Sequence, residues 1–171
     1  MLQAENLLDQ ASRLLATVSG AEIDYRRAVS AAYYAVFHLI SAAAVRQACP
    51  STPHGLRGRS QRALDHGAMK RAMTPFLTPD SVNRLSADIH VWCIFSRDIA
   101  EIAQGFADLQ DARYLADYDV MDSEGIVGFP WASNCVDQAK RIFEAWDRVE
   151  STEEARLFLA AMVFGEKWKK K

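Results

Sequence analysis

The sequence RSQRALDH, residues 59–66, combines arginines with a histidine at a spacing that could support chemistry on RNA. Arg62 and His66 are four residues apart, so both would lie on one face of a helix. An arginine binds phosphate and a histidine changes its charge near neutral pH, and metal-free RNA cleavage needs both properties. Arg59 adds a further cation. A basic surface helix without a ligand would show the same pattern, so both interpretations stay open.

A second constellation lies in the sequence LQDARYLADYD. Arg113 and Asp117 would share a helix face, and Arg113 is the only cation in residues 98–124, where eight acidic residues give a net charge of −7. An ion pair between Arg113 and Asp117 would explain their spacing but not the clustering of two tyrosines with a third acid at the helix end. The candidate catalytic residues are Arg113, Asp117 and Tyr118 from this segment and His66 from the first segment.

A polar stripe runs along an otherwise apolar, alanine-rich stretch. Its members recur at helical spacing within an arc of about 80°. They are Arg27, Ser30, Tyr34, His38 and Ser41. A solvent-facing stripe would normally carry glutamate and lysine, and this one has neither. The stripe therefore faces a polar cleft or a partner surface, or it forms a buried hydrogen-bonded ladder that sets the register of the helix. The candidate binding residues are Arg27, Tyr34, His38, Arg59 and Arg62.

Helices must position these residues, because glycine and proline are few and the apolar residues repeat with helical period. We predict an all-α protein, an up-and-down bundle of four to five main helices. The predicted helices are about Leu2–Ser19, Ala21–Ala48, Arg59–Met73, Thr78–Tyr118, Asn134–Val149 and one opened by the capping box Ser151/Glu154. Loops are expected at Ser51–Gly58 and Asp119–Ser133. Residues 1–165 would form a single domain, followed by a basic tail at residues 166–171.

Charge is distributed unevenly along the chain. The net charge of −2 excludes the global basic field that drives bulk nucleic-acid binding. Residues 46–71 hold six lysines and arginines and one aspartate, a net charge of +5, opposite in sign to residues 98–124. This asymmetry could orient a partner or align two copies of the chain head to tail, although charged runs are more often plain solvated faces.

Two further patterns limit the class of protein. The 18 uncharged residues from Ala28 to Val45 reach the lower length limit of a membrane span. Because seven of the 18 are alanine and only three are leucine, isoleucine or phenylalanine, we expect a helix buried in a soluble bundle and no membrane partner. The three cysteines form no CxxC pair, and no nucleotide or metal motif is present, so we expect no metal and no cofactor in a cytoplasmic protein.

Three of these segments together resemble the HEPN family (higher eukaryotes and prokaryotes nucleotide-binding). RRAVSAAYYAVFH is similar to the second-helix signature of HEPN domains, and LQDARYLADYD and RALDHGAMKR resemble motifs of a bacterial branch of the family. The resemblance implies a four-to-five-helix bundle that forms a homodimer. It also implies metal-independent ribonuclease activity, often in toxin–antitoxin or defence systems, sometimes beside a nucleotidyltransferase partner.

The chain departs from the HEPN pattern at the catalytic motif. In that family the active site is an arginine followed by a histidine four to six residues later, at the dimer cleft. After Arg113 this sequence offers Asp117, Tyr118 and Asp119, and no histidine. The expected function is a HEPN-like dimeric module that binds a nucleotide, RNA or a partner protein. The alternatives are an active metal-independent ribonuclease that pairs Arg113 with His66 or His38, and an unrelated structural bundle.

Overall fold

The computed structural model describes residues 2–16, 20–51, 53–77, 95–119, 121–122 and 125–164. These residues form seven α-helices and one short 3-10 helix, and they contain no strand. The prediction of an all-α protein is confirmed. The α-helices are α1 (Leu2–Ala16), α2 (Glu22–Ala48), α3 (His54–Arg62), α4 (His66–Met73), α5 (Arg97–Tyr118), α6 (Phe129–Val149) and α7 (Glu153–Phe164), and the 3-10 helix is Thr74–Phe76.

The chain divides into two compact units. Unit 1 comprises residues 1–39 and 105–143, and unit 2 comprises residues 40–104 and 144–171. Each boundary falls inside a helix, so α2, α5 and α6 contribute residues to both units. The candidate site on α2 and α5 belongs to unit 1.

In unit 1, aromatic and small residues position the second half of α5. The buried rings of Tyr33 and Phe106 meet edge to face with centroids 5.7 Å apart. A Cβ atom added to Gly105 would lie 2.6 Å from Cδ1 of Ile142, so this glycine permits close packing of α5 on α6. These buried contacts fix the position of residues 105–118 of α5 against α2 and α6.

In unit 2, a cluster of aromatic rings and one hydrogen bond to a side chain hold the helices together. The ring of Phe76 meets the rings of Phe95 and Phe158 edge to face, with centroids 4.8 and 5.2 Å away. The Glu154 carboxylate accepts a hydrogen bond of 2.5 Å from the backbone N–H of Ser96, immediately before α5. Helix α4 packs against α7. These contacts belong to the core of unit 2.

Helix α2 is a core helix. By length and composition it could cross a membrane, but 78% of its most apolar window is buried inside the chain. Six of its alanines are buried: Ala28, Ala31, Ala32, Ala35, Ala43 and Ala44. The structure agrees with the interpretation of this stretch as a buried helix, because the chain itself covers the alanine face.

The predicted helix Arg59–Met73 is wrong, because two helices occupy this region. Helix α3 already begins at His54, inside the predicted loop, and it ends at Arg62. Asp65 then adopts an extended backbone and its carboxylate accepts a 2.8 Å hydrogen bond from the N–H of Ala68, which caps α4. Arg62 and His66 therefore lie on different helices and do not share a face as predicted.

Other helix ends differ from the predictions by a few residues. Thr152 caps α7 by accepting a hydrogen bond from the N–H of Ala155, one residue after the predicted cap at Ser151. Helix α6 begins at Phe129 with proline in its first turn, five residues before the predicted start. The predicted cap at residues 78–81 and the basic tail at 166–171 lie outside the described residues.

Candidate functional site

Two polar contacts join α2 and α5 within unit 1. Ser30 Oγ donates a 2.6 Å hydrogen bond to Asp117 Oδ1, and Arg113 Nη2 donates a 3.0 Å hydrogen bond to Tyr34 Oη. Because residue 30 meets residue 117 and residue 34 meets residue 113, the two helices run antiparallel here. Two members of the predicted polar stripe thus contact two of the predicted catalytic residues.

The Arg113 guanidinium is surrounded by its own chain. Its Nε lies 2.6 Å from Asp117 Oδ2 as an ion pair, although the N–H direction is unsuitable for a hydrogen bond. The guanidinium carbon lies 5.5 Å from the ring centroid of Tyr34 and 5.4 Å from that of Tyr118. The side chains of Arg113 and Asp117 are only 23% and 30% exposed. The guanidinium of Arg113 is therefore in contact with one carboxylate and two aromatic rings of its own chain.

The electrostatics of the site keep Arg113 charged. Burial alone would lower the pKa of the guanidinium, but Tyr34, Asp117 and Tyr118 together raise that pKa above its ordinary value. Since the Asp117 carboxylate receives both the Ser30 hydroxyl and the Arg113 cation, its oxygens are already engaged. The arrangement is an internally compensated network rather than a free cation beside a free base.

Arg26 is a site residue that the sequence reasoning missed in favour of its neighbour Arg27. Arg26 is 8% exposed, and its Nη1 donates hydrogen bonds of 3.2 and 3.1 Å to the backbone oxygens of Leu115 and Ala116. Its Nε pairs with Glu22 at 2.7 Å. The last carbonyls of a helix lack partners within the helix, so Arg26 caps the end of α5 that carries the site.

A sequence signal for Arg26 exists in hindsight. Arg26, Ser30 and Tyr34 follow each other at intervals of four residues and therefore lie along one side of α2. Arg27, which was selected from the sequence as a binding residue, is exposed. The position of the partner helix, which only the fold supplies, decides between the two arginines.

The remaining stripe residues do not extend the site. His38 is partly buried, its ring meets Phe37 edge to face at 5.7 Å, and burial lowers its pKa. In unit 2, the fully buried Ser41 hydroxyl accepts a 2.8 Å hydrogen bond from Gln61 Nε2. Ser30, Tyr34 and Ser41 each form a hydrogen bond to another helix, and of these three residues only Ser41 is fully buried.

The other predicted site residues belong to unit 2. His66 is the first residue of α4, and Arg59 and Arg62 are exposed on α3. In the part of the chain that the structure describes, the contacts of Arg113 go to Tyr34, Asp117 and Tyr118. The site therefore joins an arginine to tyrosines and a carboxylate, and not to a histidine.

Exposed apolar side chains lie at and just after the end of α5, which carries the network. Tyr114 and Tyr118 are 63% and 59% exposed, and their ring centroids lie 5.0 Å apart. Met121, in the turn after α5, is 86% exposed. We call these three residues the tyrosine patch. Tyr118 belongs to both the patch and the network. A molecule bound at the patch would therefore contact a ring that also packs on the Arg113 guanidinium.

Among the described residues, no group of three or more His, Cys, Asp or Glu side chains could hold a metal ion. Burial, followed by the charge of Asp108, raises the pKa of Cys135 to about 11, so this thiol stays protonated at neutral pH.

Comparisons with protein-family models, curated proteins and solved structures found no match to this chain. Its function must therefore be inferred from the residues that α2 and α5 bring together.

Proposed function

We propose that this protein is a non-catalytic, HEPN-like, dimeric module that acts in the cytoplasm by binding a partner protein and does not cleave RNA. The observation that carries the proposal is the engagement of Arg113 by Asp117 at 2.6 Å. The resemblance to HEPN domains supplies the context, a toxin–antitoxin or defence system in which such modules pair with a nucleotidyltransferase or another protein.

The chemistry of RNA cleavage explains why this engagement matters. Metal-free cleavage needs a base that takes the proton of the ribose 2′-hydroxyl and a cation that stabilises the phosphorane. Here the cation is paired with Asp117, and the carboxylate that could act as the base holds Ser30 and Arg113. A phosphate would have to displace Asp117 before Arg113 could stabilise a transition state.

The charge around Arg113 favours a protein over RNA. Residues 108–122 contain five aspartates and one arginine, a net charge of −4, which repels a phosphate backbone. Exposed tyrosine and methionine side chains, as in the tyrosine patch, are enriched in protein interfaces. The same surface is therefore better suited to a protein partner than to RNA or a nucleotide.

The test is cleavage of end-labelled total RNA in EDTA by the wild-type protein and the Arg113→Ala variant. Arg156→Ala serves as the matched control, because Arg156 forms an exposed pair with Glu153 elsewhere on the chain. We expect the same background level from all three proteins. Products with 2′,3′-cyclic phosphate ends that are lost only in a folded Arg113→Ala variant would overturn the proposal and establish the ribonuclease alternative.

Fluorescence anisotropy of the same RNA separates binding from cleavage. We expect no saturable binding at micromolar protein in physiological salt, because the acidic end of α5 repels phosphate. Tight binding that depends on Arg113, without cleavage, would replace the protein partner by a nucleic acid.

A further inference from the structure

The end of α5 combines apolar exposure with negative charge. The tyrosine patch exposes Tyr114, Tyr118 and Met121 by 63%, 59% and 86%. The surrounding residues 108–122 have a net charge of −4. Arginine side chains suit such a surface, because a guanidinium can stack on a tyrosine ring and approach carboxylates at the same time.

Helix α3 has the opposite character. Its sequence HGLRGRSQR contains three arginines and no acidic residue. Arg59 and Arg62 are exposed, and Leu56 is 50% exposed. These three residues recur at a spacing of three and lie along one side of the helix. None of the described side chains of α3 is fully buried, so the helix gains little from the core of unit 2.

We propose that the tyrosine patch of one copy of this chain binds the Leu56–Arg59–Arg62 side of α3 in a second copy. In this contact the guanidinium groups lie among the aspartates and over the tyrosine rings, and Leu56 packs beside Met121. The proposal rests on the dimer in the proposed function and names the surfaces that form it.

The charges on the chain favour a second copy as the occupant. Residues 46–71 carry +5 and residues 98–124 carry −7, so each copy has both halves of a complementary pair. A two-fold dimer would use both surfaces of each copy and so form the contact twice. The buried alanines of α2 are covered by the chain itself and offer no surface to a second copy.

Charge reversal on either surface tests the proposal. One protein carries Arg59→Glu and Arg62→Glu, and the other carries Asp111→Lys and Asp119→Lys. The first pair of substitutions changes the net charge of α3 from +3 to −1, and the second changes that of residues 108–122 from −4 to 0. In each protein alone neither contact keeps the attraction of opposite charges, whereas in the mixed dimer one of the two contacts joins two unchanged surfaces. The control protein carries Lys140→Glu and Arg156→Glu, two exposed basic residues outside both surfaces.

Light scattering at micromolar concentration and low salt gives the readout, with circular dichroism confirming that each variant is folded. We expect twice the chain mass of 19.1 kDa for the wild type and the control. Each charge-reversed protein alone should dimerise at least about tenfold more weakly, and mixing the two should restore the dimer. Restoration by mixing distinguishes recovered contacts from damage to the fold.

Two results would overturn the inference in different ways. A dimer that persists in both charge-reversed proteins would place the interface elsewhere, while the non-catalytic module remains as proposed. A wild-type mass of 19.1 kDa at every concentration would remove the dimer from the proposed function as well. RNA cleavage in EDTA would refute the non-catalytic module without any change in the dimer result.

Discussion

Arg113 is paired and enclosed by side chains of its own chain. The guanidinium is charged and oriented, yet Asp117 and the rings of Tyr34 and Tyr118 already surround it. The spacing in the sequence predicted the Arg113–Asp117 pair correctly. It could not predict Tyr34 as a contact, because that contact depends on the register of α2 against α5.

Replacing Asp117 by Asn should test the strength of the network. The variant keeps the shape of the side chain but leaves the partly buried Arg113 without its counter-charge. We expect a loss of about 1 kcal/mol in the free energy of unfolding, measured with urea. Asp137→Asn is the matched control, since its pair with Lys140 is about half exposed and should change stability by less than about 0.5 kcal/mol. Equal losses in both variants would contradict the importance of the network.

His38 should make stability depend on pH. Burial lowers the pKa of His38 from its ordinary value of 6.5, so the unfolded chain binds this proton more readily than the folded chain. Its contribution is therefore intact above pH 6.5 and is lost as the pH falls through the lowered pKa. We expect the free energy of unfolding in urea to decline as the pH falls from 6.5 towards the lowered pKa, and to decline less in His38→Gln. An unchanged pH profile in the variant would show that His38 is not the titrating group.

At the scale of elements, the start of α2 and the end of α5 depend on each other. Arg26 from α2 donates to the Leu115 and Ala116 carbonyls in the last turn of α5, and the Leu115 carbonyl also accepts a 3.1 Å hydrogen bond from the backbone N–H of Asp119. Asp117 and Tyr118, the next two residues, belong to the candidate site. The cap thus sets the position of the residues that hold Arg113.

Arg26→Met tests this cap. Methionine keeps much of the side-chain volume but donates no hydrogen bond, so the Leu115 and Ala116 carbonyls lose the hydrogen bonds from the guanidinium. We expect a loss of about 2 kcal/mol in the free energy of unfolding and faster amide exchange in the last turn of α5. Arg27→Met should change stability by less than about 0.5 kcal/mol, because Arg27 is exposed. A similar effect of the two substitutions would argue against the capping role.

The sequence predicted that the elements are helices, but it predicted the residues at which they begin and end less well. Helical periodicity predicted α2 almost to the residue, since it has no internal breaker. The break between α3 and α4 was missed because Asp65 is acceptable inside a helix as well as at its cap, and only the tertiary packing selects the cap. The start of α7 was displaced because Glu154 binds Ser96 instead of completing a capping box.

At the scale of the whole molecule, the separation of charge has two consequences. In the proposed account, the acidic end of α5 disfavours RNA, and the basic side of α3 is the surface to which a second copy binds. Local charges could be read directly from the sequence. Which of the charged residues are exposed, and which are paired within the chain, could not be known before the helices were placed.

The central claim is that Asp117, and not a phosphate, is the partner of Arg113. The most direct test is the NMR signal of the Arg113 Nε–H group, assigned by its absence in Arg113→Lys and followed during titration with a short single-stranded RNA. We expect the signal to stay in place with RNA and to move in Asp117→Asn, because the carboxylate determines its environment. A saturable shift of this signal by RNA in the wild-type protein would contradict the account and make Arg113 a phosphate-binding residue.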